Sequence, residues 1–120
     1  MSCVLLVDDD PAVRGLLRLF LEEAGYSVLE AKEGSEALQF LDIADVVVTD
    51  MVMPDKEGIE VIRICRRLRP KLPVIAISGA AFGESYLAIA THLGVGQALQ
   101  KPISRETLLN SVRRALPAVA

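Results

Sequence analysis

Five short apolar runs recur along the chain: Cys3 to Val7, Ser27 to Ala31, Asp45 to Thr49, Pro73 to Ile77 and Gln97 to Gln100, with a stretch of helical length between most neighbours. Three of them are nearly continuous in Val, Ile and Leu, the composition of strands covered on both faces. The stretches between them carry helix punctuation. Asp10 before Pro11 reads as an N-cap followed by proline at the first helical position. Leu16, Leu17, Phe20, Leu21 and Ala24 then form an apolar stripe that Gly25 ends. Further helices are expected from about Ser35 to Leu41, from about Glu57 to Arg69 ahead of Pro70 and Pro73, and up to about Leu93 ahead of Gly94. A last one is capped by Ser104 and closed by Pro117. Strand and helix alternating five times imply an α/β fold, a parallel sheet with helices on both faces, because right-handed crossovers leave few other arrangements. No repeat, linker or low-complexity segment divides the 120 residues, so a single domain over residues 1–120 is expected.

Chemistry-bearing residues fall at the carboxyl ends of these runs. They are Asp8, Asp9 and Asp10 after Val7, Asp50 after Val46-Val47-Val48-Thr49, then Ser78 and Lys101. In an open parallel sheet the strand carboxyl ends converge on one crevice, so these positions face one small volume. Asp10 is accounted for as the helix cap. Asp8 and Asp9 have no capping duty, and beside Asp50 they would repel one another unless a hard divalent cation sat among their oxygens. Mg²⁺ fits, since it takes one or two carboxylates, keeps waters and leaves positions for phosphate oxygens. A carboxylate in the position of Asp50 can attack phosphorus when a metal offsets its charge. Lys101 offers a mobile point charge to a phosphoryl oxygen, and the Ser78 hydroxyl offers a hydrogen bond.

The remaining features narrow the function class. Apolar residues at 52% against 24% charged describe a folded chain, and a net charge of −3 carries no electrostatic footprint for nucleic acid. No apolar run approaches membrane-spanning length and Met1-Ser2-Cys3-Val4 opens no secretory leader, so a cytoplasmic protein without a membrane partner is expected. Cys3 and Cys65 lack metal or redox spacing and read as buried reduced thiols. His92, the single histidine, reads as an exposed helix residue. Arg63, Arg66, Arg67, Arg69 and Lys71 gather toward a helix C-terminus, where the dipole favours cations. Tyr86, Ala90 and Leu93 form one stripe, with Leu87 and Ile89 at its margins.

Taken together, Val7-Asp8-Asp9, Asp50-Met51-Val52-Met53-Pro54 with Gly58 behind it, Ser78-Gly79-Ala80 and Lys101-Pro102 resemble the response-regulator receiver domain of two-component signalling, across essentially the whole chain. The resemblance implies a flavodoxin-like, doubly wound five-stranded parallel sheet of order 2-1-3-4-5. It implies that Asp50 is the phosphoacceptor and that Asp9 and Asp50 bind Mg²⁺ directly with the Val52 carbonyl. Asp8 would help directly or through water, Ser78 would be the switch hydroxyl and Lys101 the phosphoryl contact. The implied partners are a sensor histidine kinase or phosphotransfer protein upstream and a downstream protein or output domain, with a phosphorylation-dependent dimer possible in principle. Such a module is a signalling phosphoacceptor, catalysing only its own phosphoryl transfer and slow dephosphorylation.

The chain also departs from that family. Three residues before Lys101, where an aromatic is usual, stands Ala98; Val52 and Ala80 occupy positions that often carry polar side chains; Glu57 replaces the usual aspartate before the glycine. Apolar groups at 52 and 80 can neither orient an attacking water nor bond it. Two other readings compete. Asp8 and Asp10 also satisfy the Asp-x-Asp signature of haloacid-dehalogenase-like phosphatases, but that family needs a further acidic pair beyond its lysine, and after Lys101 there is only Glu106. A non-phosphorylated, receiver-like interaction domain would tend to lose the acidic pair or the acceptor, and all are present.

Overall fold

The computed structural model describes residues 2–51, 57–79, 88–89 and 91–117, with Glu57 described by its backbone alone. Five parallel strands, β1 (Cys3–Val7), β2 (Ser27–Ala31), β3 (Val46–Asp50), β4 (Val74–Ser78) and β5 (Gln97–Gln100), form one sheet in the order β2-β1-β3-β4-β5. Around it lie α1 (Pro11–Glu23), α2 (Gly34–Leu38), α3 (Glu57–Leu68) and a C-terminal helix (Arg105–Ala115). Residues 88, 89, 91 and 92 are helical where a helix before Gly94 is expected; Tyr86, Leu87 and Ala90 lie outside the described residues.

Strand alternation divides the core in two. Leu5, Val7, Val47 and Ala76 point to the side covered by α2 and α3, where they meet Ala37, Leu41, Val61, Ile62 and Cys65. Val4, Leu6, Val46, Val48, Ile75 and Ile77 point to the other side and meet Leu17 and Leu21 of α1 and Leu108 and Val112 of the C-terminal helix. Every residue of β3 and β4 is buried, as the run of apolar side chains requires. Each fully buried Leu, Ile or Val stabilises the fold by about 1.5–3 kcal/mol, so truncating a central residue such as Ile75 to Ala would cost about 2–5 kcal/mol.

Local signals set the helix ends. The Asp10 carboxylate accepts from the N–H groups of Ala12 and Val13, and Pro11 opens α1. At the other end Gly25 has φ +94°, its N–H donates to Glu22 O and the Tyr26 N–H to Leu21 O, the paired bonds of a Schellman motif. Ser104 caps the C-terminal helix through Thr107 N–H.

Some expectations shift. β3 and β4 each begin and end one residue later than the apolar runs suggest, because the ladder continues through Asp50 opposite Ile77 and Ser78 opposite Gln100. α2 closes at Leu38, not Leu41, as Gln39 and Phe40 turn to bonds three residues back. Leu16 and Ala24 do not join the core: α1 buries Leu17 and Leu21, and Leu16, one position before Leu17, is 49% exposed. Cys65 is buried and Cys3 only half-buried, both as free thiols. His92 is exposed.

Candidate functional site

The carboxyl ends of β1, β3, β4 and β5 meet at one edge of the sheet. Asp8 follows β1, Asp50 closes β3, Ser78 closes β4 and Lys101 follows β5. Main-chain bonds lock this alignment, with Asp8 N–H donating to Ala31 O, Met51 N–H to Ile77 O and Lys101 N–H to Ser78 O at 2.7 Å. The Lys101–Pro102 peptide is cis. Asp8, Asp50 and Ser78 are 1%, 3% and 0% exposed, whereas Asp9 faces solvent. Carboxylate oxygens of Asp8, Asp9 and Asp50 lie within 4.8 Å of one another.

Lys101 reaches into this cluster. Its Nζ donates to Asp50 Oδ2 at 2.9 Å and stands 3.1 Å from Asp8 Oδ2. Asp8 Oδ1 accepts from the Asp10 N–H at 2.9 Å. Burial pushes the Asp8 carboxyl above its ordinary range; the Asp10 hydrogen bond opposes this, the Asp50 charge reinforces it and Lys101 opposes it, and the upward direction prevails. For Lys101 burial alone would lower the pKa, but the hydrogen bond to Asp50 and the charges of Asp50 and Asp8 outweigh it and raise the ammonium above its usual value. Among the described residues the Ser78 hydroxyl makes one long contact, to Gly79 O at 3.4 Å.

The donor set suits a hard divalent cation. Three carboxylates supply oxygen alone, and Asp8 Oδ2, though at ion-pair distance from Lys101, is buried without a hydrogen-bond partner among the described residues. Such an oxygen has a lone pair to give to a metal. Val52, whose carbonyl the resemblance adds to the ligands, lies outside the described residues, as do Met53, Pro54, Ala80 and Gly83.

Gly58 shows why the segment behind Asp50 needs a glycine. A Cβ built there would stand 2.1 Å from the Asp50 carbonyl oxygen and 2.7 Å from Met51 Cα, so α3 begins in contact with the main chain that carries Asp50. Two residues of the basic group are occupied structurally: Arg69, just past α3, donates through Nη1 to Leu41 O at 2.6 Å and Ala44 O at 2.7 Å, and Arg66 donates to Pro70 O and Leu72 O. Glu106, the acidic residue a phosphatase site would draw on, is exposed in the first turn of the C-terminal helix, and Asp10 is engaged as a cap.

Sequence reasoning does not single out Arg14. Its Nη1 donates to the Asp8 carbonyl at 2.7 Å and its Nε to Glu30 Oε1 at 2.9 Å. The one available signal is its place a single turn beyond the acidic run.

Comparison with known proteins places these observations in context. The response regulator receiver domain model matches residues 4–113. The transcriptional regulatory protein GlrR of Escherichia coli is 36% identical over 94% of this chain and 26% of that protein. The C4-dicarboxylate transport transcriptional regulatory protein DctD of Pseudomonas aeruginosa is 41% identical over 94% of this chain and 25% of that protein. This chain therefore spans about a quarter of the length of either relative. The structure of the chemotaxis protein CheY4 of Vibrio cholerae superposes with a TM-score of 0.87 at 30% identity, covering 97% of this chain and 99% of that one. Among the described residues no helix is long and apolar enough to cross a membrane.

Proposed function

The chain belongs to the response-regulator receiver family, a signalling module, and from that premise we propose that Asp50 accepts a phosphoryl group from a sensor histidine kinase or phosphotransfer protein. The observation that carries this reading is a buried strand-end carboxylate with Lys101 Nζ at 2.9 Å and the carboxylates of Asp8 and Asp9 beside it. Residues 1–120 act as one receiver unit.

Asp8, Asp9 and Asp50, with the Val52 carbonyl, would hold Mg²⁺, which offsets carboxylate charge and that of the incoming phosphoryl oxygens. An Asp50 carboxylate oxygen attacks phosphorus; the O–P bond forms as the P–N bond to the donor imidazole breaks, and the electron pair stays on that nitrogen. Lys101 moves its ammonium from Asp50 to a phosphoryl oxygen, and the Ser78 hydroxyl exchanges its long contact with Gly79 O for a bond to another. An apolar recess lined by Val13, Leu16, Leu17, Pro102 and Ile103 opens beside Lys101.

Phosphorylation then changes the face formed by the helix ahead of Gly94, β5 and the C-terminal helix, which a downstream protein, an output domain or a second phosphorylated copy reads. With Ala98 on β5, transmission runs through the main chain that joins Ser78 to Lys101 rather than through an aromatic rotamer. Incubation with acetyl phosphate and Mg²⁺ followed by intact-mass measurement tests the assignment. One phosphoryl mass is expected on the wild type and none on Asp50→Asn; an undiminished adduct on the variant sinks it.

A further inference from the structure

One peptide links the Asp8 and Asp9 carboxylates, and a side chain outside the acidic cluster holds it. Arg14, with its side chain 17% exposed, sits in the first turns of α1 and bridges two other elements, the Asp8 carbonyl at the end of β1 and the Glu30 carboxylate on β2. Glu30 is held in turn by Arg18, which also pairs with Glu22. Burial would raise the Glu30 pKa, but its bonds to Arg18 and Arg14 outweigh that and lower it, so it stays ionised as their anchor at neutral pH.

A peptide group is planar, so fixing the Asp8 carbonyl oxygen also fixes the Asp9 N–H and the direction in which the chain leaves for the Asp9 Cα. The Asp10 N–H already fixes the Asp8 carboxylate itself, at 2.9 Å. Rotation of the Asp8–Asp9 peptide is a separate freedom, and the Arg14 bond to the Asp8 carbonyl restrains it. We propose that Arg14, oriented by Glu30, is a positioning residue that sets the Asp8–Asp9 peptide so that both carboxylates face Asp50. The inference rests on reading these carboxylates as a Mg²⁺ site. A lysine supplies a point charge in place of the guanidinium fork and cannot reproduce both bonds in one fixed plane.

Charge and positioning predict opposite signs, which makes the test sharp. Deleting a cation near three carboxylates strengthens their attraction for Mg²⁺, whereas losing a group that orients a ligand weakens it. Mg²⁺ is titrated by calorimetry into wild type, Arg14→Ala, Arg14→Lys and Arg18→Ala, each checked for folding by urea titration. Arg14→Ala is expected to bind about tenfold more weakly, with Arg14→Lys between it and wild type. Arg18→Ala, which leaves the Asp8 contact in place, is expected to bind as wild type or more tightly. Without metal, the amide resonances of Asp9 and Asp10 should shift in Arg14→Ala and stay in Arg18→Ala. Wild-type or tighter binding by folded Arg14→Ala overturns the proposal, as does an equal loss in Arg18→Ala. Should Arg14→Ala fail to fold, Glu30→Gln decides, with about threefold weaker binding expected and wild-type affinity overturning the idea. A wild type that binds no Mg²⁺ overturns the metal reading itself, which separates the two failures.

Discussion

Replacing Lys101 with methionine removes an ammonium that stands between Asp8 and Asp50 and leaves the two carboxylates buried. At 2.9 and 3.1 Å, each attraction is about 5–6 kcal/mol at an effective dielectric of about 20. Desolvation of the three ions, several kcal/mol each, offsets most of that in the wild type. Truncating only one partner forfeits the attraction while the carboxylates stay buried, a net loss of about 3–5 kcal/mol for pairs of this kind. Asp8 can relieve part of it by taking up a proton, so the expected loss at pH 7 without divalent ions is near the lower end, about 3 kcal/mol. Urea unfolding measures it. The pH dependence has a definite sign. Asp8 has a folded pKa above its ordinary 3.8, so the stability linked to its protonation is full below 3.8 and lost as pH rises through the folded value. Without Lys101 the upward shift grows, and the gap between variant and wild type should narrow as pH is lowered from 7 toward 3.8. Lys101 has a folded pKa above its ordinary 10.5, so the wild type should lose stability as pH rises beyond that and the variant should not lose this part. Millimolar Mg²⁺ should stabilise Lys101→Met more than the wild type, because the metal then supplies the missing counter-charge. A variant as stable as wild type at pH 7, or an equal Mg²⁺ effect on both, would refute Lys101 as counter-ion of the site.

Gly58→Ala should destabilise the protein by about 1–3 kcal/mol, since its methyl group meets the Asp50 carbonyl and the main chain must shift; an unchanged urea midpoint would show that α3 yields without resistance. Arg69→Ala should cost about 1.5–3 kcal/mol by freeing the carbonyls of Leu41 and Ala44, and should leave phosphorylation at Asp50 intact. Unaltered stability with lost phosphotransfer would instead make the basic residues at the end of α3 and just beyond it a docking surface. Val52→Asn combined with Ala80→Glu should shorten the phosphorylated state by about one to two orders of magnitude, because polar groups there can hold the hydrolytic water. Decay of the phosphoryl mass after donor removal measures this, and an unchanged decay would exclude water positioning by those side chains.

What was legible in the sequence is what depends on neighbours along the chain. Asp10, Pro11, Gly25 and Ser104 act within one turn of themselves, and the helix ends they predict are the ones observed. Apolar runs identify strands because a strand covered on both faces has no polar side to show, and the strand ends bring forward Asp8, Asp50, Ser78 and Lys101. The strand order came from the resemblance of these residues to a family, not from any run taken alone. The tertiary structure decided what depends on segments distant in sequence. It buried Asp8 and left adjacent Asp9 in solvent, and it turned Leu16 outward while Leu17 entered the core. It joined Lys101 to Asp50 across 51 positions and Arg69 to the Leu41 carbonyl across 28. It also aimed Arg14 at the Asp8 carbonyl. Main-chain carbonyls are present at every residue, so the sequence does not mark which of them a guanidinium will reach; that choice follows from how the strands and helices pack.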